Sequence, residues 1–130
     1  MATTIRSYKD LVVWQQAAAL VELTYTLARR LPASERFGPV SQMTRAAVSV
    51  QANIAEGHGC QHRRVFLNHL SISQGSLVEL ETYTILVVRL GFVRQEQVDE
   101  VQSKIGDVGR LLSALVRALR RPPRVPNPSP

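Results

Sequence analysis

Apolar residues recur at alternating spacings of three and four along most of the chain, and this periodicity constrains the fold more than any other feature. It is most regular near the C-terminus, in the series Val98, Val101, Ile105, Val108, Leu112, Leu115 and Leu119. Because an α-helix turns about 100° per residue, such a series lies along one helix face. Three earlier stretches repeat the pattern, and none of comparable length alternates with the two-residue period of a strand. The sequence therefore predicts an all-α fold.

Clusters of Gly and Pro separate four predicted helices, over residues 10–31, 37–56, 61–90 and 94–120. Pro32 ends the first helix, because the residue before a proline avoids the helical conformation. Gly57 and Gly91 are expected to end the second and third helices in the left-handed conformation. Short connections favour antiparallel neighbours, so we expect one domain, an up-down four-helix bundle over 10–120. Residues 1–9 are assigned to an N-terminal segment, and the Pro-rich residues 121–130 to a disordered tail.

The first predicted helix carries more apolar surface than a small bundle needs. One stripe consists of Leu11, Trp14, Ala18, Val21, Tyr25 and Ala28. A second stripe, Val13, Leu20 and Leu27, lies on the far side. The second predicted helix has small residues on nearly every face. Because exposed apolar patches usually mark interfaces, we expect a homo-oligomer.

The chain has a net charge of +6, and only Lys9 and Lys104 of its 16 basic residues are lysines. Arginine pairs bidentately with phosphate, so this composition favours nucleic acid as a partner. A single cysteine excludes an internal disulfide framework. The sequence has neither an apolar run of about 20 residues nor the apolar region of a signal peptide. We expect a cytoplasmic protein with no membrane partner.

Polar side chains of the second predicted helix project within one narrow arc, because their spacings are three and four: Gln42, Arg45, Ser49, Asn53 and Glu56. Serine and asparagine favour caps and turns over helix interiors, so their presence here indicates specific hydrogen bonds. Glu56 would oppose the helix dipole in the last turn and therefore needs a partner. We predict a polar network at a helix or subunit interface, which Ser76 and Glu79 of the third helix join.

The same helix contains the segment Arg45-Ala-Ala-Val-Ser49-Val-Gln-Ala-Asn53-Ile-Ala-Glu56-Gly57. It resembles the signature of a bacterial four-helix bundle family, the 23S rRNA intervening-sequence proteins. The segments Tyr8-Lys-Asp-Leu-Val-Val-Trp14 and Gly75-Ser76-Leu-Val-Glu79 extend the resemblance to roughly residues 7–120. The resemblance implies a ring-shaped homopentamer. It also implies relatedness to retroelement accessory proteins, which bind a reverse transcriptase and nucleic acid.

Basic residues gather toward the end of the last predicted helix and continue into the tail: Arg110, Arg117, Arg120, Arg121 and Arg124. We interpret this cluster as a surface that contacts phosphates. The alternative is a solvated face whose cations complement the helix dipole. Aromatic residues make up only 5% of the chain, which disfavours stacking platforms for single strands.

The histidines and the cysteine suggest two further chemistries. His58, Cys60, His62 and His69 are suitable zinc ligands, but their spacing differs from structural zinc motifs. We expect no metal and no cofactor. Arg64 and His69 could form the Arg-x4-His pair of some helical-bundle ribonucleases, with the histidine as general acid or base. This pair is the leading enzyme hypothesis.

These observations together predict a non-enzymatic, homo-oligomeric four-helix bundle that acts as a nucleic-acid-associated or protein-assembly module. Its expected partners are copies of itself, RNA or DNA, and a reverse transcriptase or another protein. Two alternatives stay open, a helical-bundle ribonuclease and a scaffold that binds only proteins.

Overall fold

The computed structural model describes residues 4–122. It contains four α-helices: α1 (Val12–Ala28), α2 (Ser41–Gly59), α3 (Arg63–Arg89) and α4 (Gln95–Arg120). The described residues include no strand, and the all-α prediction is confirmed. The predicted helix bounds differ from these by at most four residues. Arg124 and most of the predicted tail lie outside the described residues.

The four helices pack around one core. α1 contacts α2 and α4, and α3 contacts the same two helices, so the helices follow one another around the bundle. Hydrogen bonds between helices show their relative directions. Between α2 and α3, Ser49 pairs with Ser76 and Asn53 with His69, so residue numbers rise along one helix as they fall along the other. The same holds between α3 and α4, where Arg63 pairs with Arg121 and Thr84 with Gln102. Neighbouring helices on these two sides therefore run antiparallel.

The core contains the apolar faces predicted for α2, α3 and α4, including Met43, Leu80 and Leu112, which are fully buried. In α1 the core side chains are Val13, Ala17, Leu20 and Leu27. The second stripe of the sequence analysis, which was assigned to the far side of this helix, thus faces the core. The other stripe flanks the core, and Tyr25 within it is 41% exposed. Both stripes have helical periodicity, so periodicity could not show which one faces the core.

The connections between helices differ in length and geometry. Residues 29–40 join α1 to α2 through two short helical turns, and the backbone leaves the helical conformation at Gly38. Residues 60–62 join α2 to α3, with Gln61 in the left-handed conformation at φ 59°. Gly91 is left-handed after α3 (φ 81°), as predicted. The prediction for Gly57 was wrong, because this residue lies inside α2.

In the part of the chain that the structure describes, no helix combines the length and the apolar composition that crossing a membrane requires.

Candidate functional site

A chain of hydrogen bonds links α2 to α3 along their shared edge. The hydroxyl oxygens of Ser49 and Ser76 lie 2.7 Å apart. Asn53 Nδ2 donates to the Ser49 carbonyl at 2.9 Å and to the Ser49 hydroxyl at 3.2 Å. Asn53 Oδ1 lies 2.9 Å from His69 Nδ1. Four side chains thus form one continuous network. Ser49, Asn53 and Ser76 were predicted to belong to it, and His69 was not.

The direction of these bonds fixes the state of His69. Since the amide nitrogen of Asn53 faces Ser49, its oxygen faces the imidazole and can only accept a hydrogen bond. With the amide in this orientation, His69 Nδ1 is the donor of the hydrogen bond. Glu56 Oε2 lies 3.9 Å from the same nitrogen, and the Glu56 side chain is 65% exposed. Glu56 therefore lies beside His69 of the same chain, at a distance longer than a hydrogen bond.

The remaining predicted members of the network surround a groove above Ser49 and Ser76. Gln42 and Arg45 on α2 and Glu79 on α3 line it, and its volume is about 450 Å³. Arg45 and Glu79 are exposed. No salt bridge joins them within residues 4–122. The structure thus brings all the predicted polar residues to one edge, but only some of them bond to one another.

The backbones of α2 and α3 come very close beside this network, at Gly57. A Cβ atom at this position would lie 2.7 Å from His69 Cβ and 2.9 Å from Phe66 Cδ1. Carbon atoms in contact are normally about 3.5–4.0 Å apart. Glycine is therefore required here for packing, although the sequence had indicated a helix end.

Arginines cluster at the end of the bundle where α3 begins and α4 ends, and we call these residues the basic end: Arg63, Arg64, Arg117, Arg120 and Arg121. All five are exposed. Arg63 Nη1 donates to the Arg121 carbonyl at 3.1 Å, which joins the two helices. None of the five takes part in a salt bridge within residues 4–122. The positive end of the α3 dipole and the negative end of the α4 dipole both lie here, so the charge of this end comes from the arginines.

Arg110 differs from the other predicted phosphate ligands. Ten residues of helix separate it from Arg120, a distance of roughly 15 Å. Its guanidinium is paired with the Asp107 carboxylate. Acidic residues are concentrated at the opposite end, where Glu96 and Glu100 lie near the start of α4. That end also carries five exposed arginines, but four carboxylates accompany them, so the net positive charge is greater at the basic end. The arginines are Arg29, Arg30, Arg36, Arg89 and Arg94, and the carboxylates are Glu35, Glu96, Asp99 and Glu100.

The sequence did not predict three residues of these sites. It indicated no cluster for Arg63, because Arg63 is 54 residues or more from Arg117, Arg120 and Arg121 and joins them only through antiparallel packing. It placed Arg64 only in a nuclease pair. It placed His69 in a metal site or a nuclease pair. One signal could have predicted that His69 faces α2. His69 lies four residues before Ser73, so both project from the same side of α3, and Ser73 Oγ donates to the Val50 carbonyl of α2 at 2.8 Å.

The structure does not bring the candidate metal ligands or the candidate nuclease pair together within the described part of one chain. No group of three His, Cys, Asp or Glu residues in the described part of the chain could hold a metal ion. Arg64 and His69 are five residues apart on α3, so they project roughly 140° apart around the helix. His69 instead bonds to Asn53 of α2.

Comparisons with known proteins identify the fold and a family signature. A family model described as 23S rRNA-intervening sequence protein matches residues 9–114. The chain is also similar to a crystal structure from Bacteroides thetaiotaomicron, described as a protein of unknown function from the S23 ribosomal protein family. The TM-score is 0.75 and the identity 24%, over 82% of this chain and 99% of that chain. This likeness shows the fold. No curated protein matches the chain.

Proposed function

The chain belongs to the 23S rRNA-intervening sequence protein family, and on this premise we propose that it is a non-enzymatic, homo-oligomeric module that binds nucleic acid. Phosphates contact the basic end, and copies of the chain associate through the outer apolar faces of the bundle. The observation that carries the proposal is the group of five exposed arginines that no carboxylate of residues 4–122 neutralises.

The guanidinium groups of the basic end are better suited to binding the phosphates of a ligand than to pairing with carboxylates of the same chain. Guanidinium groups donate paired hydrogen bonds to phosphate oxygens and stay charged at every physiological pH. Each phosphate that they neutralise releases condensed counterions, so binding weakens as salt rises. Since Arg63 is tied to the end of α4, arginines of two helices present one surface to the ligand.

We propose that the chain has no nuclease activity of its own. Arg64 projects roughly 140° away from His69 around α3, which disfavours joint action of the two side chains on one phosphate within one chain. The two side chains could meet a common phosphate only across two copies of the chain. Labelled RNA incubated with the protein should therefore stay at full length. Cleavage that disappears in His69→Ala would replace this proposal with the ribonuclease alternative.

Self-association is supported by apolar side chains on the outward face of α3. Those at least 41% exposed are Ile72, Val78, Ile85, Leu86 and Leu90. Val48 on α2 is 42% exposed and lines a groove of about 490 Å³ beside Tyr25. Groups of exposed apolar side chains often mark protein interfaces. We take the ring-shaped homopentamer implied by the family resemblance as the proposed assembly.

Light scattering tests the assembly. The protein should have the mass of a closed oligomer, and Leu86→Glu should shift it toward the monomer, because a carboxylate would be buried in the interface. Ser103→Glu is the matched control, since Ser103 is exposed on the outward face of α4. A monomeric wild-type protein at micromolar concentration would refute the oligomer.

Titration of labelled structured RNA and duplex DNA at several salt concentrations tests nucleic-acid binding. The triple variant Arg117→Ser, Arg120→Ser, Arg121→Ser should bind more weakly. If each arginine neutralises one phosphate, the salt slope on duplex DNA should fall by roughly 2–3. The control removes the same charge at the other end: Arg29→Ser, Arg30→Ser, Arg36→Ser. It should bind like the wild type. Equal loss in both variants would show that net charge alone matters, and no binding at low salt would favour a protein-binding scaffold.

A further inference from the structure

A hollow of about 300 Å³ opens at the basic end, beside the turn from α2 to α3. Its inner surface includes Phe66 and Leu119, which pack against the edge of the core. Its rim carries polar side chains: His58, Gln61, His62 and Arg63. An apolar interior with a few polar groups around it is the usual composition of a ligand pocket, and the volume lies at the lower end of the range for such pockets.

The walls of this hollow are held in place by their own contacts. The His58 ring packs edge-to-face against Phe66, with centroids 5.7 Å apart and an interplanar angle of 84°. Arg63 is fixed by its bond to the Arg121 carbonyl. Gln61 adopts a left-handed conformation, at φ 59°. Such conformations are uncommon in residues other than glycine and cluster at functional sites. The cavity is therefore preformed.

We propose that this hollow receives one unpaired nucleobase of a nucleic acid bound at the basic end, an inference that rests on the proposed function. A nucleobase has apolar faces and a polar edge. One face can stack on the Phe66 ring, and the His58 ring, which is nearly perpendicular to Phe66, can then contact the base edge-on. The polar edge of the base suits the Gln61 amide. The adjoining phosphates reach Arg63 and Arg64. Proteins recognise unpaired RNA bases through this combination of stacking, edge hydrogen bonds and arginine contacts. A low aromatic content excludes a long stacking platform, but a single base needs only one such pocket.

Binding to three RNA hairpins tests this inference separately from the proposed function. The first is fully paired, the second has one bulged adenosine, and the third has an abasic bulge at the same position. The second and third carry the same phosphates and differ only in the base. We expect the wild-type protein to bind the adenosine bulge about 5- to 100-fold more tightly than the abasic bulge, the range that stacking of one base provides.

Variants of the hollow should remove this preference without weakening binding to the abasic hairpin. Phe66→Leu keeps an apolar side chain but removes the aromatic face, and His58→Ala removes a wall that is only partly buried. Cys60→Ser is the control, since Cys60 is exposed and outside the hollow. Equal affinity of the wild type for both bulges would overturn the inference alone. Failure to bind any hairpin at low salt would overturn the proposed function and the inference together. An unchanged preference in both folded variants would show that the base binds elsewhere.

Discussion

Replacing Gly57 with alanine tests the close packing of α2 against α3. The added Cβ would lie 2.7 Å from His69 Cβ and 2.9 Å from Phe66 Cδ1. The Phe66 ring can rotate away, but His69 Cβ is attached directly to the α3 backbone. A normal contact requires about 3.5 Å or more, so the two helices would have to separate by roughly 1 Å.

The expected cost combines two opposing effects. Overpacking of this kind typically lowers the free energy of unfolding by about 1–3 kcal/mol. Alanine has a higher helix propensity than glycine, which returns roughly 1 kcal/mol. The net result is a loss of up to about 2 kcal/mol. Gly59→Ala provides the control, because nothing lies within 4 Å of its added Cβ. It should leave stability unchanged or raise it slightly.

Urea unfolding followed by circular dichroism at 222 nm measures both variants, at one protein concentration because association adds to apparent stability. The difference between Gly57→Ala and Gly59→Ala isolates the steric term, and it should amount to about 1–3 kcal/mol. If Gly57→Ala is as stable as Gly59→Ala, the helices are not in close contact at this point and the packing argument is wrong.

Other substitutions test the network, a turn and the extent of the basic surface. Asn53→Ala should lower the free energy of unfolding by about 1–3 kcal/mol, because it removes the partner of the His69 ring nitrogen and the amide that donates to Ser49; an unchanged urea midpoint and oligomer mass would contradict the network. Gly91→Ala should cost about 1–2 kcal/mol, because an alanine in the left-handed conformation is strained; thermal unfolding measures it, and no loss would argue against that conformation. Asp107→Asn should release Arg110 and tighten binding to duplex DNA, with a steeper salt dependence. Unchanged affinity would show that the phosphate-binding surface ends before Arg110.

Helical periodicity predicted the fold class and most of the core, because burying one face of each helix requires apolar residues at those spacings. It failed to choose between the two stripes of α1. Leu20 is buried and Tyr25 is 41% exposed, yet both belong to a regular apolar series. The choice depends on where α2 and α4 pack, and that information is distributed over three helices.

The residue types of α2 likewise predicted its polar edge. Serine and asparagine inside a helix need hydrogen-bond partners, and Ser49 and Asn53 have them. Partners that are distant in sequence could not be assigned. His69 joins the network and Arg63 joins the basic end only because α3 runs antiparallel to both of its neighbours. The role of Gly57 likewise follows from the distance between two backbones, which the sequence of one helix does not specify.

The three-residue connection between α2 and α3 has a consequence for how the chain folds. Closing so short a loop costs little entropy, and these two helices also share the most extensive contact in the bundle. Residues 29–40, in contrast, separate α1 from α2. We therefore expect the α2–α3 hairpin to form first during folding, with α1 and α4 docking on it afterwards. Its backbone amides should be the slowest in the protein to exchange with deuterium.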